Sequence, residues 1–163
     1  MTSALRLSWS DEFVLGDART DATHQEFVEL VNATTAATAE ECLAAYRSLL
    51  DHTVEHFAQE ERWMSACGIP SDFCHFSQHK SVLEVMKEVE RRTLAGEAGL
   101  INQMIEALVE WFPQHAHSMD AGLVGYLKEK GFDTASETFT TVVGAGAAEL
   151  PSCSGHQPGA SCA

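Results

Sequence analysis

Basic residues are scarce in this chain: 10 Lys and Arg stand against 24 Asp and Glu among 163 residues, a formal net charge of −14. A surface so acidic repels phosphate backbones and anionic headgroups, which argues against nucleic acid or a membrane surface as a partner. No stretch approaches the roughly 20 consecutive apolar residues that a membrane span needs. The opening residues, Met1-Thr2-Ser3-Ala4-Leu5-Arg6-Leu7-Ser8-Trp9, carry no long apolar core, so no signal peptide is expected. Cys42, Cys67, Cys74, Cys153 and Cys162 are an odd set without framework spacing, and a reduced, cytoplasmic setting is expected. There is no internal repeat, and strand signals are nearly absent. What is present is 45% hydrophobic residues, enough for one soluble domain with its own core.

Apolar residues recur at helical spacing in four stretches. Up to about Ala18 the chain reads as an irregular arm whose Trp9, Phe13, Val14 and Leu15 should pack over the rest. A first helix is predicted from near Asp21 to about Ala37, with Phe27, Leu30 and Val31 on one stripe. Thr38 and Glu41 form a capping-box pattern ahead of a second helix, which stops at Cys67-Gly68-Ile69-Pro70. Ser71 or Asp72 is the expected cap of a third helix through His75, His79, Leu83, Met86 and Val89. After Gly96–Gly99 a fourth helix carries Ile101 to Leu127, with Pro113 set to kink or reset it and Gly131 to stop it. The expected fold is all-α, an antiparallel up-down-up-down four-helix bundle over residues 1–133. Residues 134–163, rich in Thr, Ser, Gly and Ala, read as a low-complexity, disordered tail.

The chemistry lies in seven residues spread over those helices: His24; His56 with Glu60; His75 with His79; and His115 with Asp120. Two of the pairs are spaced i, i+4, which puts both side chains on one face, one turn apart. A lone His on an apolar face is commonly a hydrogen-bonded core residue. Convergence from four helices changes that balance, because bundles build metal sites from inward-facing side chains. Five imidazoles and two carboxylates exceed the needs of one tetrahedral zinc and suit two nitrogen-rich irons bridged by the carboxylates. His115 and Asp120 are spaced i, i+5, so a local bulge or the Pro113 kink is needed to bring them together.

With these residues in hand, the chain resembles the hemerythrins, and among them the bacteriohemerythrins, over about Trp9 to Phe132. The matching stretches are Trp9-Ser10-Asp11, Asp21-Ala22-Thr23-His24, His56-Phe57-Ala58-Gln59-Glu60-Glu61, His75-Phe76-Ser77-Gln78-His79 and Trp111-Phe112-Pro113-Gln114-His115 leading to Asp120. The i, i+5 step to Asp120 is also that family's. The resemblance implies two non-haem iron ions per chain, joined by an oxo or hydroxo group. His75, His79 and His115 would bind one; His24 and His56 would bind the other and leave it an open position for dioxygen. Glu60 and Asp120 would bridge. It implies reversible dioxygen binding for storage, transport or delivery in a bacterial cell, with no catalytic residues, and an oxygen-consuming enzyme as a possible recipient. Phe27, Phe57, Trp111, Phe112 and Leu123 could line an apolar pocket that keeps water out. Many relatives carry an aliphatic residue where this chain has Phe112.

Other readings compete for the same residues. Oxygen or nitric oxide sensing, and reduction of peroxide or nitric oxide, would use the same irons. His52-Thr53-Val54-Glu55-His56 spells H-x-x-E-H, an inverted zinc-peptidase string with Glu55 as base, which needs a cleft that a bundle core lacks. A ferritin-like oxidase would need Glu-x-x-His pairs, and no Glu here is followed by His three residues on. His117, two residues from His115, should face solvent. Cys67 and Cys74 flank the loop before His75 and are candidates for oxidation. Cys153, His156 and Cys162 in the tail could hold a soft metal or report redox state, although incidental thiols are the simpler reading.

Overall fold

A computed structural model describes residues 6–140 and 149–150. Four long helical segments dominate: α1 (Ala18–Ala36), α2 (Cys42–Ala66), α3 (Cys74–Leu94) and α4 (Leu100–His115), the last extended by α5 (Ala121–Glu129). Helix α1 packs on α2, α2 on α3, α3 on α4 and α4 back on α1, which closes an antiparallel four-helix bundle. Among the described residues, no helix is long and apolar enough to cross a membrane.

The helix ends follow local chemistry. Asp17 accepts the Thr20 backbone N–H at 2.9 Å, so α1 begins at Ala18, earlier than the stripe alone indicates. Thr38 and Glu41 form the reciprocal pair expected of them, each side chain accepting the other's backbone N–H. Gly68 takes a left-handed φ of 80°, and Ile69 N–H reaches back to Met64 O at 2.9 Å, the closing bond of a Schellman turn. Helix α3 departs from expectation. Neither Ser71 nor Asp72 caps it; it starts after Phe73 with no side-chain cap.

The core has two apolar layers. One gathers Phe13, Phe27, Val31, Tyr46, Leu49, Phe57, Met86, Leu108 and Phe112; the other gathers Trp63, Met64, Ile69, Leu123, Tyr126 and Leu127. Each such side chain stabilises the fold by roughly 1.5–3 kcal/mol when fully buried. On α2, Glu60 lies between Phe57 of the first layer and Trp63 of the second. On the fourth helix, His115 and Asp120 lie between Phe112 and Leu123. The polar residues thus occupy a seam between two dry layers.

The arm joins the first layer through Leu7 and Phe13, whereas Val14, expected to pack, is 49% exposed. A short antiparallel pair, β1 (Phe132–Asp133) with β2 (Thr138–Phe139), follows α5. Residues 134–140, assigned to the tail from composition, therefore fold back on the bundle. Thr134 Oγ donates to Asp17 at 2.7 Å, and Arg62 and Trp63 both donate to the Glu137 carboxylate. Cys42 and Cys67 are free and half-buried, while Cys74 is not a free thiol, a departure from the fully reduced set expected. Cys153, His156 and Cys162 lie outside the described residues.

Candidate metal centre

All seven residues singled out from the sequence converge in the seam, and all are buried. They form two overlapping sets: His24, His56, Glu60 and Asp120; and Glu60, His75, His79, His115 and Asp120. Within each set the potential ligand atoms lie within 4.8 Å of one another. The two carboxylates belong to both. Glu60 Oε1 lies 2.9 Å from His56 Nε2 and 3.8 Å from His24 Nε2, while its Oε2 is 3.3 Å from both His75 Nε2 and His79 Nε2. Asp120 Oδ2 lies 3.0 Å from His24, and its Oδ1 is 3.1 Å from both His75 and His115. Each carboxylate turns one oxygen to each histidine set.

Helix geometry explains how the side chains get there. His56 with Glu60, and His75 with His79, sit one turn apart on one face, as the i, i+4 spacing dictates. The i, i+5 pair is solved by a π-helical turn, Ala116–Asp120, which inserts one extra residue between α4 and α5. That turn brings Asp120 under His115 where an unbroken α-helix would rotate it away. His117, on the turn's outer side, is exposed, and its Nε2–H donates to Glu12 O at 2.7 Å.

The electrostatics are those of a site waiting for positive charge. Glu60 and Asp120 are fully buried. Burial works against their ionised forms, yet both are held well below the usual carboxylate range, Glu60 chiefly by His56 and Asp120 by His115. Burial disfavours the charged His24 ring, but Asp120 and then Glu60 outweigh it and push His24 up to about 10; the same contest pushes His75 up to about 9. Burial wins at His115, which falls to about 4. Ten buried side-chain nitrogen or oxygen atoms lack a hydrogen-bond partner among the described residues, and all but Thr93 Oγ belong to this cluster. Buried polar atoms are seldom left so. Their convergence fits a donor set for cations.

A further ring of contacts was not legible in the sequence. Gln78 is buried, and its Oε1 accepts His115 Nδ1–H at 2.9 Å. Glu61 Oε1 lies 3.3 Å from His79 Nδ1. Such partners set the tautomer and aim the other nitrogen. Phe57 stacks flat on His79 at 3.9 Å, and Trp111 stacks on His115 at 4.3 Å. At the other end, Phe112 meets His24 edge-on at 5.2 Å and Phe27 at 4.6 Å. Leu123, expected near the pocket, belongs to the second apolar layer. The H-x-x-E-H string does not assemble. His52 Nε2 faces Thr23 O at 3.2 Å, His56 Nε2 faces Glu60, the Glu55 side chain is 76% exposed, and His52 joins neither ligand set.

Comparison with known proteins agrees with this geometry. Residues 15–127 match the Hemerythrin HHE cation binding domain. A bacteriohemerythrin of Ralstonia nicotianae is 37% identical over 131 residues, covering 80% of this chain and 96% of that protein. A bacteriohemerythrin of Pseudomonas paraeruginosa is 30% identical, covering 72% and 79%. One of Methylococcus capsulatus is 26% identical, covering 70% and 91%.

Proposed function

Because the chain belongs to the hemerythrin family, we propose that it is a reversible dioxygen-binding protein, not an enzyme, built around two non-haem irons per chain. The observation that carries this reading is the split of each carboxylate: Glu60 and Asp120 each offer one oxygen to His24 or His56 and the other to the set of His75, His79 and His115. Two cations held by three and by two imidazoles, with both carboxylates shared, would occupy that arrangement and satisfy the unpartnered atoms. The metal ligands are then His24, His56, Glu60, His75, His79, His115 and Asp120, and an oxo or hydroxo group would complete the bridge. When bound, such an iron pair supplies the electrons that hold dioxygen and recovers them on its release.

The chain's own residues give that chemistry its reversibility. Phe27 and Phe112, both fully buried, pack on the two-histidine end, where the ligand count leaves a position free, and exclude water that would discharge a reduced oxygen species. Gln78 and Glu61 hold His115 and His79 with Nε2 turned to the carboxylates. We read the physiological role as oxygen storage or delivery, with an oxygen-consuming enzyme as recipient. The test is metal analysis joined to an anaerobic-to-aerobic absorption titration. About two irons per chain, with charge-transfer bands that appear with dioxygen and fade on its removal, are expected. Zinc in the site, or iron that oxidises once and does not return, would overturn the proposal.

A further inference from the structure

A cleft of about 290 Å³ lies between α1 and α2, and one of its walls is His56. His56 is only 3% exposed, and its Nε2 edge meets the Glu60 carboxylate at 2.9 Å. His56 Nδ1 is buried with no hydrogen-bond partner among the described residues. Farther out, the same cleft is lined by Glu26 and Glu55, whose side chains are 65% and 76% exposed, and by the half-buried His52.

His52 repeats the pattern. Its Nε2 lies 3.2 Å from Thr23 O, which leaves Nδ1 as the ring's other edge. That atom faces Glu26 Oε2 at 3.7 Å. An imidazole nitrogen and a carboxylate oxygen, one from each helix, thus face each other across the cleft. A divalent cation answers both, and imidazole with carboxylate is a donor pair that ferrous iron accepts. Two protein ligands are too few to retain a metal, so the pair suits passage rather than residence. Arg19, the one Lys or Arg among the described residues that line the cleft, is turned aside: its Nε–H donates to Gln59 Oε1 at 2.8 Å. A larger cavity of about 590 Å³, against α2 and α3, offers no such path. Lys80 and Lys87 line it, and among the described residues no histidine does.

We infer that the α1–α2 cleft is the route by which ferrous iron reaches the centre, with Glu26 and His52 its first protein ligands and His56 the residue that receives it. The inference rests on the iron reading of the centre.

The test is the rate of anaerobic ferrous loading into full-length metal-free protein, read as iron that resists a ferrous chelator added at timed intervals. Three variants are compared with the parent chain: Glu26→Gln with His52→Gln, which removes the pair; Ala22→Phe, which plugs the cleft from an exposed position without changing charge; and Glu84→Gln in the other cavity. The first two should load roughly tenfold more slowly, the low end of what local charge and focusing contribute to association. They should reach the parent's final iron content, and Glu84→Gln should load like the parent. Parent-like rates in both cleft variants would overturn the route alone. So would an equal slowing by Glu84→Gln, which would mark a general charge effect, or a lower final iron content at an unchanged rate. A parent chain that takes up no iron would overturn the centre, and the route with it.

Discussion

The two ends of the centre are built differently. At the end formed by α3 and α4, His115 and His79 are each fixed on both sides. Gln78 and Glu61 meet their Nδ1 atoms, and Trp111 and Phe57 stack on their rings. At the end formed by α1 and α2, the Nδ1 atoms of His24 and His56 have no hydrogen-bond partner among the described residues, and the neighbours are Phe27, Phe112 and a cleft. One end is arranged to hold a metal without movement. On the proposed reading the other admits an ion through the cleft and a small ligand beneath the phenyl rings. Asymmetric support gives a nearly symmetric ligand set two different ends, as the proposed two-iron reading requires.

The largest effect should come from removing what the two ends share. Glu60→Ala deletes an oxygen from each histidine set and leaves buried histidines uncompensated; most bound iron should be lost from both positions, as read by metal analysis. His115→Ala should lose most of it too, whereas the exposed His117→Ala should keep it all. Iron loss of the same size in His117→Ala would break the ligand assignment.

Next comes Phe112, which belongs to the open end alone. Phe112→Ala leaves a cavity beside His24 and should cost about 3–5 kcal/mol of stability in denaturant unfolding. It should also shorten the lifetime of the oxygenated protein while leaving iron content unchanged. An oxygenated form as long-lived as the parent's would mean that Phe112 is packing only.

Gln78→Leu acts on the held end. Losing the acceptor for His115 Nδ1–H should weaken iron binding by roughly 10–100-fold in chelator competition. Among the described residues His24 and His56 have no such partner to lose at the α1–α2 end. Unchanged affinity in Gln78→Leu would erase the contrast between the ends.

The smallest effect concerns pH in the metal-free protein. His24 and His75 are raised to about 10 and about 9, above the ordinary value of 6.5. A raised pKa contributes stability that is fully present below 6.5 and is lost as pH climbs through the folded value. Melting temperature should therefore fall between about pH 6.5 and about pH 10 in chelator-stripped protein. Iron-loaded protein should not share the fall, because the metal has already displaced those protons. Parallel curves for the two forms would contradict the placement of protons on these rings.

Much of this was readable in advance because helices impose short-range periodicity. The apolar stripes, the Thr38–Glu41 box and the Gly68 stop are local, and the structure repeats them. The i, i+4 pairs identify inward faces for the same reason. Gln78 was not singled out because a ring's outer partner needs no particular spacing; it is the buried partner of His115, on another helix. The hairpin at residues 132–139 was hidden because two-residue strands carry no alternation to detect. Its anchors, Asp17, Arg62 and Trp63, lie far off in the chain.

The sequence by itself determined the helix count, the identity of the seven polar residues and the face of the helix on which each pair must lie. These depend on a repeat of 3.6 residues and on local capping, and neither requires a partner. Only the tertiary structure decided that a π turn would bring Asp120 beneath His115, which oxygen of each carboxylate would face which histidine, and that one end would be buttressed while the other opened on a cleft. Those features are set by how helices distant in the chain meet, and side-chain distances of 3 Å across a seam are settled by packing rather than by any spacing along the chain.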